Sequence, residues 1–240
     1  MQLLVSVTSA TEAAAALAGG ADLIDAKDPA AGALGAVSLE RLRQIWTMVA
    51  GARLVTAALG DAADEGAIER AARTFAAAGA AFVKVGFAGV TDTSRVAALI
   101  AAAVGGTRPE NCCVIGVAYA DAARASSIER NRLLETAASS GARGVLLDTF
   151  DKSGGGLRHL IPPRELIEWV AAAHDAGLLV ALAGQLTASD LQFVRDTGAD
   201  IAGVRGAACE GGRAGHVTAD RVRMLRAAYK APIPDLVGSR

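Results

Sequence analysis

Short apolar runs alternate along the chain with longer Ala-rich segments that carry charges at helical spacing, and the alternation repeats eight times. The pattern predicts strands over Gln2–Val7, Leu23–Ala26, Arg53–Leu59, Phe82–Gly86, Val114–Tyr119, Gly144–Asp148, Leu178–Ala183 and Ile201–Val204. Each is followed by a helix or by a loop leading into one. Gly20-Ala21-Asp22, Gly79-Ala80-Ala81, Gly141-Ala142-Arg143, Gly177 and Gly198-Ala199-Asp200 stand just before strands, where a left-handed glycine ends the preceding helix. Ser9 and Glu12 are spaced as a capping box, and Ser38 and Asp190 stand near two further helix starts.

Eight βα units in 240 residues, roughly thirty residues each, match the size of a (β/α)8 TIM barrel. The competing arrangement is a doubly wound open sheet. A dinucleotide-binding sheet of that kind would carry a Gly-x-Gly-x-x-Gly turn after its first strand, and none stands there. Residues 1–240 read as a single barrel domain, with 231–240, which contain Pro232 and Pro234, as a surface tail.

Composition narrows the function. With 52% hydrophobic residues and a formal charge of −1 the chain can bury a large core, and it lacks the basic excess of a nucleic-acid binder. The start has no basic region, and Glu12, Gly19, Gly20 and Asp22 interrupt the Ala-rich stretch behind it, so neither a signal peptide nor a membrane span is expected. The cytosol is the expected location. Three cysteines, two of them adjacent, suit reduced thiols rather than a disulfide framework.

The chain has four lysines against twenty arginines, and Lys27, Lys84 and Lys152 fall within or just beyond predicted strands. Arginine stays protonated in proteins, whereas a lysine that loses its proton in a partly desolvated pocket attacks carbonyl carbon and forms a Schiff base. In a barrel the active site forms at the C-terminal ends of the strands. Asp25 and Lys27 end the second strand, Lys84 lies in the fourth, Asp148 and Lys152 end the sixth and Arg205 ends the eighth, all of them even strands. Asp25 and Lys27 are two apart, so an extended backbone aims both at one face. Three neighbouring amines disfavour one another's charge, while the two carboxylates compensate it and relay protons. Each lysine alone could be an ordinary ion-pair partner. Lys84 carries the strongest individual signal, because a charge inside Phe82-Val83-Lys84-Val85-Gly86 is expensive unless it meets a partner or a site. Lys152, beside Ser153-Gly154-Gly155-Gly156, could ride on a mobile loop.

Glycines mark a second constellation. Gly184-Gln185 follows the seventh strand, and Arg205-Gly206-Ala207 follows the eighth. Turns there present backbone N–H groups to phosphate in many barrels, although glycine and alanine also simply permit tight turns. Gly184, Gln185, Arg205, Gly206 and Ala207 are therefore candidate substrate-binding residues. His159, His174 and His216 are scattered, so no metal site is expected. Cys209 has no neighbouring base and reads as packing. Asp61 and Asp121 either line the pocket or cap helices, and Trp46 and Trp169 pack helices against the barrel or a neighbouring subunit.

Gly19-Gly20-Ala21-Asp22-Leu23-Ile24-Asp25-Ala26-Lys27-Asp28-Pro29, followed by Gly32-Ala33-Leu34-Gly35-Ala36, resembles the signature of the (5-formylfuran-3-yl)methyl phosphate synthases. The likeness continues through Val83-Lys84-Val85-Gly86, Ala118-Tyr119-Ala120-Asp121-Ala122, Leu147-Asp148-Thr149, Ala181-Leu182-Ala183-Gly184 and Gly203-Val204-Arg205-Gly206-Ala207-Ala208-Cys209. The resemblance implies condensation of two glyceraldehyde 3-phosphate molecules, with loss of phosphate and water, in the furan branch of methanofuran biosynthesis. It implies Lys27 as the Schiff-base lysine, Lys84 as proton acceptor, and Asp25, Asp148 and Lys152 as supporting acid–base groups. No cofactor is implied, and the partner implied is a phosphorylated aldehyde; separately, an Ala-rich helical exterior with few charges favours self-association. Gln185 stands where the family pattern leads one to expect a small residue. Two other readings stay open: another Schiff-base aldolase acting on sugar phosphates, and a non-catalytic barrel that binds phosphorylated ligands.

Overall fold

The computed structural model describes residues 1–230, so the expected tail over 231–240 lies outside the described residues. Eight parallel strands close into a barrel: β1 (Gln2–Val7), β2 (Leu23–Ala26), β3 (Leu54–Asp61), β4 (Phe82–Gly86), β5 (Cys113–Tyr119), β6 (Gly144–Asp148), β7 (Leu179–Leu182) and β8 (Ile201–Val204). Each neighbours the next in sequence, and β8 closes against β1 through Leu4 and Gly203. The closed order excludes the open doubly wound sheet. Helices α1 (Ala10–Gly19), α2 (Leu39–Val49), α3 (Glu65–Ala77) and α4 (Thr93–Thr107) follow the first four strands. The short α5 (Ala122–Ala125) and α6 (Arg130–Ser139) follow β5, α7 (Leu157–Leu160) and α8 (Pro163–Asp175) follow β6, α9 (Ala188–Asp196) follows β7, and α10 (Ala219–Lys230) follows β8.

The two-residue period of the strands divides the core. Ile24, Ala26, Val83, Val85, Val145 and Leu147 face outward and pack in one apolar cluster with helix residues such as Leu42, Ile45, Leu99, Ile100 and Trp169. The alternate positions face the barrel interior, where Ala58, Ile115, Val117, Tyr119 and Leu146 form a second cluster beneath Leu34 of the loop after β2. The core therefore surrounds the strands on both sides and holds their ends rigidly. Cys209 is part of the outer cluster, in keeping with a packing thiol, whereas Trp46 on α2 is 47% exposed.

Local signals position the loops. Gly20, Gly79, Gly141, Gly177 and Gly198 all take positive φ, and Gly20 returns its N–H to the α1 carbonyls of Ala16 and Leu17. Ser38 caps α2 through the Arg41 N–H, and Asp190 completes a capping box with Thr187. Ser9 accepts from the Glu12 N–H, but the Glu12 carboxylate does not return to Ser9. It accepts from the Thr8 N–H at 2.7 Å and from Arg205 instead. The half-formed box leaves Glu12 free for a long-range partner.

A segment after β8 had no strand signal yet forms a small antiparallel hairpin, β9 (Cys209–Glu210) with β10 (His216–Val217). Two residues per strand are too few for an alternating pattern to be read. Among the described residues no helix is long and apolar enough to cross a membrane.

Candidate active site

At the C-terminal end of the barrel a cavity of about 400 Å³ opens over the interior cluster, lined by Ser6, Asp25, Lys27, Thr56, Lys84, Asp148, Lys152 and the turns after β7 and β8. The five candidate acid–base residues thus meet in one place, within two linked units. In the first, Asp25 is fully buried, and its neighbours in register, Ser6 on β1 and Thr56 on β3, donate to its two carboxylate oxygens at 2.8 and 2.7 Å. Lys84 Nζ completes the unit at 2.6 Å from Asp25 Oδ2. Burial alone would raise the Asp25 pKa, but Lys84 and Lys27 hold it below the ordinary carboxylate value.

The second unit is centred on Asp148. Lys152 Nζ lies 2.6 Å from Oδ1, the Thr149 N–H donates to the same oxygen at 2.8 Å, and Lys27 Nζ stands 3.4 Å from Oδ2. Against the burial that opposes it, Lys152 and Lys27 keep Asp148 strongly ionised, well below the usual carboxylate range. Lys27 is the most loosely held of the three amines, since the other two sit on carboxylates at 2.6 Å. Its pKa is pulled down to about 8, first by burial, with Lys84 and Lys152 adding to the fall and Asp148 opposing it. A lysine poised there exposes a useful fraction of free amine near neutrality, which is what attack on an aldehyde requires.

The loop after β2 shapes this side of the mouth. Asp28 N and the Gly35 carbonyl close it at 2.8 Å, and a Cβ on Gly35 would stand 2.1 Å from the Asp28 carbonyl oxygen, so no larger residue fits this crossing. Neither Asp61 nor Asp121 lines the cavity, and although Asp121 occupies the N-cap position of α5, its side chain makes no capping bond there. Asp61 accepts from the Tyr119 hydroxyl at 2.7 Å and from the Ala88 N–H at 2.9 Å, while Asp121 accepts from the N–H groups of Phe150 and Asp151 at 2.6 and 2.8 Å. Both carboxylates staple one strand end to the next. The Asp121 staple, together with the Lys152–Asp148 pair, ties down the segment that glycines 154–156 would otherwise permit to move.

Gly184, Gln185, Arg205, Gly206 and Ala207 all border the cavity, but two of them are engaged elsewhere. Gln185, at φ 56°, donates its side-chain amide to the Gly154 carbonyl at 3.1 Å, linking the β7 turn to the β6 loop. Arg205 is buried, and its five N–H donors reach Glu12 twice and the carbonyls of Ser6, Arg213 and Gly215. The Arg205 guanidinium is thus a tie between β1, α1 and the hairpin loop, with all five donors engaged within the protein. Glu12, held below its ordinary pKa by Arg205 and Thr8 despite burial, is its counter-ion. The residues missed from sequence are Ser6, Thr56, Glu12 and Arg213. Ser6 and Thr56 were detectable as polar residues at inward positions of apolar strands. Arg213 gave no signal, because only the loop's fold brings it to the mouth. Among the described residues no group of three or more His, Cys, Asp or Glu side chains is arranged to hold a metal ion. His174 instead pairs with Asp200 at 3.0 Å.

The fold and the sequence have known counterparts. A 3-hexulose-6-phosphate synthase structure aligns with TM-score 0.64 at 23% identity over 95% of this chain and 99% of that one. A structure of KGPDC from Streptococcus mutans aligns with TM-score 0.66 at 15% identity over 95% and 97%. At these identities the likeness is one of fold. The (5-formylfuran-3-yl)methyl phosphate synthase of Methanothermobacter thermautotrophicus is 36% identical over 94% of this chain and 98% of its own length, and that of Methanopyrus kandleri is 38% identical over 88% and 90%. A putative enzyme of the same name from Kitasatospora aureofaciens is 38% identical over 95% and 93%. The 4-HFC-P synthase model matches residues 3–226, and the chain belongs to the 4-HFC-P synthase family.

Proposed function

We propose that this protein condenses two molecules of glyceraldehyde 3-phosphate into (5-formylfuran-3-yl)methyl phosphate through a Schiff base on Lys27. The carrying observation is the Lys27 amine: buried, 3.4 Å from Asp148, with a pKa near 8, and facing a cavity large enough for a triose phosphate. The free amine adds to the aldehyde carbon, and loss of water leaves a protonated imine. That imine acidifies the adjacent carbon; Lys84, having first handed its own proton to Asp25 across their 2.6 Å contact, takes the carbon's proton as a neutral amine. The resulting enamine is a carbon nucleophile toward the second triose phosphate. Asp148, fixed by Thr149 and Lys152, balances the cation on Lys27 and, with Lys152, serves the proton transfers of dehydration.

Overall, two triose phosphates give the furan, one inorganic phosphate and two waters, and the carbon framework needs no external oxidant. Release of phosphate and aromatisation drive the conversion forward. The names of the relatives support the same product, and a role in the furan branch of methanofuran-type cofactor biosynthesis, with a one-carbon carrier as the end use, is part of this proposal. Incubation with glyceraldehyde 3-phosphate should release phosphate and build furan absorbance in the ultraviolet at equal rates, and Lys27→Ala should abolish both. An open-chain product without free phosphate would assign an ordinary aldolase instead, and binding without turnover a ligand-binding barrel.

A further inference from the structure

Two triose phosphates bring two phosphate groups to one barrel mouth, and the turns after β7 and β8 border only one side of it. The other side opens into a cleft between the loop after β2 and the loop after β6, walled by Pro29, Gly32 and Phe150 among others. Two cations, Lys152 and Arg213, line both the central cavity and this cleft. Lys152 is already paired with Asp148 at 2.6 Å. Arg213 is half-buried, its guanidinium donates to the Gly32 carbonyl at 3.1 Å, and among the described residues no carboxylate pairs with it. It therefore spans the mouth from the β8 side to the β2 side with donors to spare.

Its placement is built in. Arg205 Nε donates to the Arg213 carbonyl at 3.1 Å, Arg205 Nη2 to the Gly215 carbonyl at 3.1 Å, and Glu12 accepts from the Val217 N–H at 3.2 Å. One buried ion pair thus fixes both ends of the loop that presents Arg213. Planar guanidinium groups suit phosphate because two N–H donors match two phosphate oxygens. The remaining charged groups of the cleft are Arg124 and Asp151, which pair with each other, so the net field there is positive.

We propose that Arg213 holds the phosphate of the second glyceraldehyde 3-phosphate, the one not bound to Lys27, in the cleft between the β2 and β6 loops, and that Glu12 and Arg205 are its positioning residues. This rests on the condensation proposed above. The first triose then directs its phosphate to the glycine turns after β7 and β8, and the two phosphates stay on opposite sides of the lysines, where their mutual repulsion is least.

The test separates the two trioses. Borohydride trapping on Lys27 needs only the first, whereas furan formation needs both. In Arg213→Ala the substrate dependence of trapping should match the wild type, while the half-saturating concentration for furan formation rises or its rate falls by roughly 10- to 100-fold, the loss of a charged hydrogen-bonded contact. Arg213→Lys should recover part of it, and intact trapping certifies that both variants are folded. Unchanged furan kinetics in Arg213→Ala, or trapping lost in parallel with turnover, would overturn the second-phosphate site while leaving the Schiff-base reading in place. A wild-type protein that forms no adduct would overturn that reading and this assignment with it.

Discussion

Replacing Lys27 by methionine should make the protein more stable at pH 7, although it removes one half of a buried ion pair. The Lys27 pKa falls from 10.5 to about 8 on folding, so holding the amine charged in the folded state costs about 3 kcal/mol, at 1.36 kcal/mol per pKa unit. That figure already contains the attraction to Asp148, which in the variant still keeps Lys152 at 2.6 Å and the Thr149 N–H at 2.8 Å. Methionine has nearly the same length and no charge, so the gain at pH 7 should approach about 3 kcal/mol. The pH dependence carries the signature. Below pH 8 the lysine is protonated both folded and unfolded, and the full penalty applies. Between pH 8 and 10.5 the unfolded chain binds more protons than the folded one, so wild-type stability rises with pH. By pH 9.5 the gap between variant and wild type should shrink by about 2 kcal/mol. Urea unfolding of both proteins at intervals from pH 7 to pH 9.5, at matched ionic strength, reads this difference directly and cancels the titrating groups remote from Lys27. A variant less stable than wild type at pH 7, or two stability curves running parallel across the range, would refute the depressed amine.

Three further outcomes follow from the same contacts. Turnover at low substrate should rise with pH through a midpoint near 8 as Lys27 loses its proton, and a flat profile from pH 6.5 to 9 would separate catalysis from that amine. Asp25→Asn leaves the Lys84 ammonium buried without its carboxylate, so denaturant unfolding should show a loss of about 3–5 kcal/mol together with lost activity; a variant of wild-type stability would mean that the pair is not formed. Gly86→Ala puts a Cβ 2.3 Å from Asp61 Oδ1 and 2.6 Å from the Tyr119 hydroxyl, and the strain should cost about 1–3 kcal/mol, seen as a lower Tm.

The barrel was legible because both periodicities were clean. Five of the eight strand ranges match the predicted ones, and the rest differ only at their ends, where β3 runs on to Asp61. The convergence of lysines and carboxylates was legible for a related reason: a charged residue in an apolar strand such as Phe82–Gly86 has to face something, and the topology leaves only the mouth. The bonding of Arg205 was hidden for the opposite reason. Its place at the end of β8 suits a phosphate ligand, but the partner that claims it, Glu12, lies 193 residues away and was already explained locally as a cap. Asp61 and Asp121 were likewise read as lining the pocket or capping helices, while the N–H groups they hold belong to the neighbouring βα units. Arg213 was invisible because a short Gly-bounded hairpin has no periodicity of its own. Sequence patterns report which face a residue occupies, whereas long-range hydrogen bonding decides whether its donors remain available to a ligand.

The proposed mechanism turns on a covalent bond from substrate to one lysine of three. Glyceraldehyde 3-phosphate and borohydride added together, followed by intact and peptide mass spectrometry, test it most directly. A reduced triose adduct is expected on the peptide carrying Lys27, absent from Lys27→Ala and formed faster at pH 8.5 than at pH 7. An adduct confined to Lys84 or Lys152, or a wild-type protein that makes the furan with no lysine ever trapped, would contradict it.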